Sequence, residues 1–149
     1  MVTANMIINQ SRMLSDIVDP DIVGKEADFE YAGVEGSAEL IGWKIVFFRK
    51  NGSSAVHAIS LSDIETEDEI NLCNFILRKI GFPLDFHSEL RDIYSELGTA
   101  LSKEKVLADC DTYCFQPSQS CRILIDISDE TIKGIQIICD PEIIDNMLN

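Results

Sequence analysis

Apolar residues recur along this chain with two different periods, and the change of period divides it into blocks. Leu40 to Arg49 is dense in β-branched and aromatic residues and predicts a strand. Asn51-Gly52-Ser53-Ser54 reads as a turn and Ala55 to Leu61 as a second strand. Together they predict a β-hairpin, because Asn-Gly tolerates the positive backbone angles of a tight turn. The period then lengthens. Ile70, Cys73, Leu77 and Ile80, widened by Phe75 and Ile76, form a helical face that ends at Gly81, and Pro83 prevents its continuation. Ser62-Asp63-Ile64-Glu65 and Thr66-Glu67-Asp68-Glu69 both fit a capping box and offer starts one turn apart. Phe86, Leu90, Ile93 and Leu97 predict a second helix ending at Gly98, and Ser102 is expected to cap a short third helix over Lys103 to Ala108.

After Asp109 the short period returns. Thr112 to Phe115, Arg122 to Ile127 and Ile132 to Cys139 predict three strands, with turns at Pro117-Ser118 and Ser128-Asp129. Asp140-Pro141-Glu142 pairs an N-cap residue with proline at the first helical position, so a terminal helical turn through Met147 is expected. Residues 1–37 are harder to read. Met6, Ile7, Ile8, Met13, Leu14, Ile17 and Val18 are read as a strand followed by a helical turn, Asp19-Pro20-Asp21 as a turn, and Gly33 to Gly36 as a loop. Strands and helices come in blocks, without the regular alternation of a doubly wound nucleotide fold. The expected class is α+β with a mainly antiparallel sheet: an N-terminal hairpin plus a C-terminal three-strand meander, with two to three helices between.

Composition sharpens this picture in one direction. The 149 residues fit a single globular domain, and a 46% hydrophobic fraction is enough to fold despite a formal net charge of −14. Residues 1–61 hold 8 acidic and 5 basic side chains, residues 62–98 hold 9 and 3, and residues 99–149 hold 9 and 4. No single acidic tail accounts for the surplus. Negative potential of this size repels nucleic-acid phosphates and anionic lipid surfaces, so neither is an expected partner, whereas a basic protein is attracted. The plain alternative is acidity for solubility alone.

Five cysteines, an odd number, do not make a secreted disulfide framework, and the start of the chain lacks a basic residue followed by a signal-length apolar run. Leu40 to Phe48 is too short to span a bilayer. A reducing cytoplasm is the expected setting, and Asn51-Gly52-Ser53 is read as a turn, not as a glycosylation acceptor.

Candidate chemistry is sparse. His57 and His87 are the only histidines, and no residue spacing selects a triad around either. Cys110, Cys114 and Cys121, with Cys139 across a strand pairing, can be asked to hold zinc, but C-x3-C-x6-C lacks paired knuckles and buried thiols are the favoured reading. Asp63, Glu65, Glu67, Asp68 and Glu69 lack the spaced ligands and central glycine of a calcium loop, and Asp126, Asp129 and Glu130 are read as an ordinary turn. There is no phosphate-cradling glycine motif and no nucleophile elbow. No cofactor, metal or catalytic residue is expected.

A small acidic α+β domain without catalytic motifs resembles the immunity proteins that neutralise bacterial polymorphic or contact-dependent growth-inhibition toxins. Leu97-Gly98-Thr99-Ala100-Leu101-Ser102-Lys103-Glu104-Lys105-Val106-Leu107, followed by strands, is similar to the helix-then-strands unit of some small inhibitory proteins. This second likeness covers about the last third of the chain, and no residue positions carry over from it. The resemblance implies stoichiometric inhibition, with an acidic surface entering the basic cleft of a toxin domain by fast, salt-sensitive association. The densest acidic run, Asp63, Glu65, Glu67, Asp68 and Glu69, is the expected contact surface. Trp43, Phe47 and Tyr31 are candidate aromatic anchors, although each is more often core in a domain of this size. Three other readings remain: a non-inhibitory regulatory or scaffolding module using a sheet edge, a small enzyme built on His57 or His87 with carboxylates, and a homo-oligomer joined by an apolar patch around Trp43.

Overall fold

A computed structural model describes residues 13–107 and 109–147. Eight strands form its centre: β1 (Lys25–Tyr31), β2 (Val34–Ile41), β3 (Ile45–Lys50), β4 (Ala58–Leu61), β5 (Ser102–Leu107), β6 (Cys110–Ser118), β7 (Cys121–Ser128) and β8 (Thr131–Ile138). Helices α1 (Glu67–Lys79) and α2 (Leu90–Leu97) separate the two groups of four, and α3 (Pro141–Met147) follows the last strand. The strands make one sheet in the order β1-β2-β3-β4-β8-β7-β6-β5, antiparallel throughout. It consists of two four-stranded meanders joined where β4 pairs with β8, so the ends of both meanders meet at the centre. The class is α+β with an antiparallel sheet, as the block pattern predicts.

Alternation along the strands separates the two faces. Phe47, Ile59, Ile137, Ile123 and Phe115 lie in one cross-strand row, and Ile45, Leu61, Ile135, Ile125 and Tyr113 in the next. Both rows face α1 and α2, which contribute Cys73, Ile76, Leu77 and Ile93 to the main core. Leu14, Ile17 and Val18 complete it. The opposite face carries a smaller cluster, in which Ile143 and Ile144 of α3 pack on Val34, Phe48, Ala58 and Ile138.

Local signals explain where the helices begin. Of the two possible capping boxes the second is used: Thr66 Oγ1 accepts from Glu69 N at 3.2 Å, and Glu69 Oε1 accepts from Thr66 N at 2.9 Å. Asp63 takes a positive φ of 53°, which excludes a helix running through the first box. Gly81 and Gly98 end α1 and α2 with φ of 78° and 80°. Asp140 caps α3 through Oδ1, which accepts from the backbone of Glu142 at 2.9 Å and Ile143 at 3.2 Å. Its other oxygen lies 3.2 Å from Lys50 Nζ. Asp140→Ala is expected to cost about 1–2 kcal/mol in urea unfolding, and Asp140→Asn less, because asparagine keeps the cap.

Five sequence expectations need correction. The expected third helix over Lys103–Ala108 is instead strand β5, paired with β6 from Ser102 to Leu107. The helical propensity of Lys-Glu-Lys is overridden by that pairing, and a charged strand suits an outer edge. The supposed loop at Gly33–Gly36 is the β1–β2 hairpin: Ala32 (φ 49°) and Gly33 (φ 83°) make a two-residue turn, and Gly36 lies inside β2. The strand expected over Leu40–Arg49 is two strands, broken by a turn at Gly42-Trp43-Lys44 with Gly42 at φ 60°. In the β3–β4 hairpin the Asn51-Gly52 turn is present, with Ser53 N donating to Lys50 O at 3.1 Å, but β4 starts only at Ala58. The turn expected at Pro117-Ser118 falls at Gln119-Ser120, because β6 continues past Pro117 through a bulge. The strand expected around Met6–Ile8 lies outside the described residues.

Candidate functional site

Sheet topology places four separate chain segments along one rim. The β2–β3 turn carrying Trp43, the connection from β4 into α1, the β7–β8 turn and the approach to β6 all emerge at the same end of the strands. From the first of these to the last is five strand spacings, roughly 24 Å. All the carboxylates of the expected contact run lie on this rim. So do Asp109, Asp111, Asp129 and Glu130, which the sequence does not connect to that run.

The five expected residues do not share one role. Asp63, Glu65, Glu67 and Asp68 are exposed. Glu69 is engaged: besides closing the capping box, its Oε1 accepts from Glu65 N at 3.0 Å and its Oε2 lies 2.9 Å from Lys44 Nζ. The Lys44 hydrogen bond, followed by those from Thr66 and Glu65, holds the Glu69 carboxyl down at about 2, and the same bond raises Lys44. The folded value lies below the ordinary 4.5, so this contribution to stability is complete above pH 4.5 and is lost as pH falls towards about 2. Urea midpoints should drop across that window, and the drop should be shallower in Glu69→Gln.

Of the three candidate aromatic anchors, only Trp43 stands out on the surface. It stands at the tip of the β2–β3 turn and is 81% exposed, while Phe47 is fully buried and Tyr31 donates its hydroxyl to Gln136 on the opposite face. Beside Trp43 lies a largely apolar hollow of about 360 Å³, walled by Ile41, Ile45, Ile64 and Leu72 and bordered by Asp68 and Glu69. Further along the rim is an acidic cleft of about 510 Å³. Glu89, Asp109, Asp111, Asp129 and Glu130 line it, with Arg91 paired to Glu89 at 3.0 Å. Asp129 and Glu130, with φ of 52° and 62°, form the tight turn between β7 and β8. Cys110 reports the same crowding of charge. Burial pushes its thiol up first, then the carboxylates of Asp126, Asp109, Asp111 and Asp63.

No protein family, curated protein or solved structure matches this chain.

The histidines do not join this rim chemistry. His57 precedes β4 at the opposite end of the sheet, where its Nδ1 accepts from Lys50 N at 3.3 Å. Burial lowers its pKa more strongly than the nearby Asp140 raises it. His87 is exposed in the turn before α2, with its backbone N–H donating to Asp85 at 2.8 Å. The cysteines are also dispersed. Cys110 and Cys114 point to the face bearing α3, Cys121 and Cys139 to the face bearing α1 and α2. Among the described residues no group of three or more His, Cys, Asp and Glu side chains is arranged to hold a metal, and no helix is long and apolar enough to cross a membrane.

Proposed function

We propose that this protein binds another protein through the Trp43 rim and that the partner presents a basic surface. The observation carrying the reading is the placement of an 81% exposed tryptophan beside an apolar hollow, flanked by exposed carboxylates from separate segments. Tryptophan supplies a large rigid contact area at small entropic cost and is enriched among residues that dominate binding energy. The surrounding carboxylates steer a cationic partner towards it and reject anionic ones. Inhibition of a toxin domain, as in immunity proteins, is the specific form this proposal takes: an acidic, aromatic-centred surface has the chemistry to fill a basic catalytic cleft. A cytoplasmic location accords with this role.

The test is capture from the source lysate with three baits: wild type, Trp43→Ala, and the reversal Asp63→Lys/Glu65→Lys/Glu67→Lys/Asp68→Lys. The expected result is one basic protein held by wild type, released by salt, and retained by neither variant. A captured partner that is acidic, or binding indifferent to ionic strength, overturns the reading. A basic partner whose own activity continues in the one-to-one complex removes the inhibitor form and leaves the docking surface.

A further inference from the structure

Two of the five thiols face each other. Arg122 of β7 pairs with Ile138 of β8, so Cys121 and Cys139 stand opposite one another one position further on. Cys139 N donates to His57 O at 3.0 Å, which turns the backbone polar groups of Cys139 towards β4 and away from β7. Across from Cys121 it therefore occupies a non-hydrogen-bonded position, where antiparallel Cα atoms approach to about 4.5 Å and side chains lie closest. That spacing falls within the range a disulfide spans. Both side chains belong to the main core cluster and so point to the same face. All five cysteines are thiols in this structure.

We propose that Cys121 and Cys139 are an oxidation site, at which a peroxide converts the facing dithiol to a cross-strand disulfide joining the start of β7 to the end of β8. The step balances as a two-electron oxidation. One thiolate sulfur attacks a peroxide oxygen, giving a sulfenic acid and releasing hydroxide, which takes up a proton to become water. The second sulfur then attacks the sulfenic sulfur, the S–S bond forms, and a second water leaves. The two thiols supply the electrons that reduce the peroxide. Cys139 is the more exposed residue of the pair, at 6% against 0% for Cys121. Its hydrogen bond holds the Cys121 thiol below its ordinary value against the opposing effect of burial. The remaining thiols are placed differently. Cys114 faces the other side of the sheet opposite Leu124, and burial pushes Cys73 up to about 12.

Folded protein is treated with hydrogen peroxide, its remaining thiols are alkylated, and peptides are mapped without reduction. The expected map contains a single linked pair, joining the Cys121 and Cys139 peptides, that weighs two hydrogens less than the sum of the two free-thiol peptides and separates into them with dithiothreitol. Its Tm should rise by about 5–10 °C over the reduced form. Cys110→Ser should still form the linkage and Cys139→Ser should not. Because the mapping is made on the wild-type chain, an unfolded variant would not obscure the result. Oxidation to sulfinic or sulfonic acid without a linkage, a disulfide using Cys73, Cys110 or Cys114, or thiols that stay reduced under native conditions each overturns the proposal.

Discussion

Trp43→Ala should weaken partner binding severely while leaving the fold in place. The side chain is 81% exposed at the tip of a turn, so its removal takes little from the core, and Tm should move by no more than about 2 °C. Binding should respond very differently. Removal of a central aromatic anchor commonly costs about 2 kcal/mol or more, so affinity should fall at least about 30-fold, mainly through faster dissociation. Reversal of the exposed carboxylates at Asp63, Glu65, Glu67 and Asp68 should act on another step. It should slow association and flatten the salt dependence. Titration calorimetry and stopped association–dissociation kinetics of wild type and both variants against the captured partner separate the two effects. Equal affinity of Trp43→Ala and wild type would remove Trp43 from the interface.

Gly36→Ala should be the most destabilising of the single substitutions considered. A Cβ at this position in β2 would stand 2.0 Å from the backbone oxygen of Arg49 and 2.9 Å from the Phe48 ring. Neither neighbour has an easy retreat. The oxygen belongs to the β2–β3 pairing, and Phe48 is fully buried in contact with Phe29 and Tyr31, at ring separations of 6.0 and 5.5 Å. The methyl group therefore forces the two strands apart. The expected loss is about 3 kcal/mol or more, read as a Tm lowered by about 10 °C. Gly24→Ala is the control. Its Cβ would meet nothing closer than 3.9 Å, and the change should stay within about 0.5 kcal/mol.

Gly36 also shows why the N-terminal third resisted reading. The inward positions of β1 and β2 include Ala27, Gly36 and Ala38, residues too small to announce a buried strand face, and carboxylates alternate with them. Glu26 even stands opposite Glu39, and Glu30 opposite Glu35, pairings that cross-strand preferences disfavour. Arg49 offsets the first of these, lying 3.4 Å from Glu26 and 2.8 Å from Glu39. In the C-terminal meander the reverse holds. Ile123, Ile125, Ile135 and Ile137 repeat with period two at full burial, and their strands are legible directly. β5 fails as a sequence pattern because Lys103, Glu104 and Lys105 are charged and exposed at an edge, where only pairing to β6 makes a strand.

The candidate surface divides along the same line. The run at Asp63–Glu69 is contiguous and therefore visible, but that Glu69 serves the fold while its neighbours stay exposed depends on Lys44, a residue brought near by the β2–β3 turn. That turn was invisible within a strongly β-forming run, and with it the exposure of Trp43. Asp109, Asp111, Asp129 and Glu130 join the rim only through strand order, which no local pattern encodes.

The pairing of β4 with β8 bears on how this chain must be made. Ala58 meets Ile138, so the central seam closes only after β8, far downstream of β4 in the chain, has left the ribosome. Until then β4 offers an unpaired edge to neighbouring nascent chains, a setting in which strands associate wrongly. Assembly across such a long separation is intrinsically slow. The acidic side chains distributed along the earlier strands give emerging chains a mutual repulsion over that interval, a consequence of the charge that needs only the chain itself.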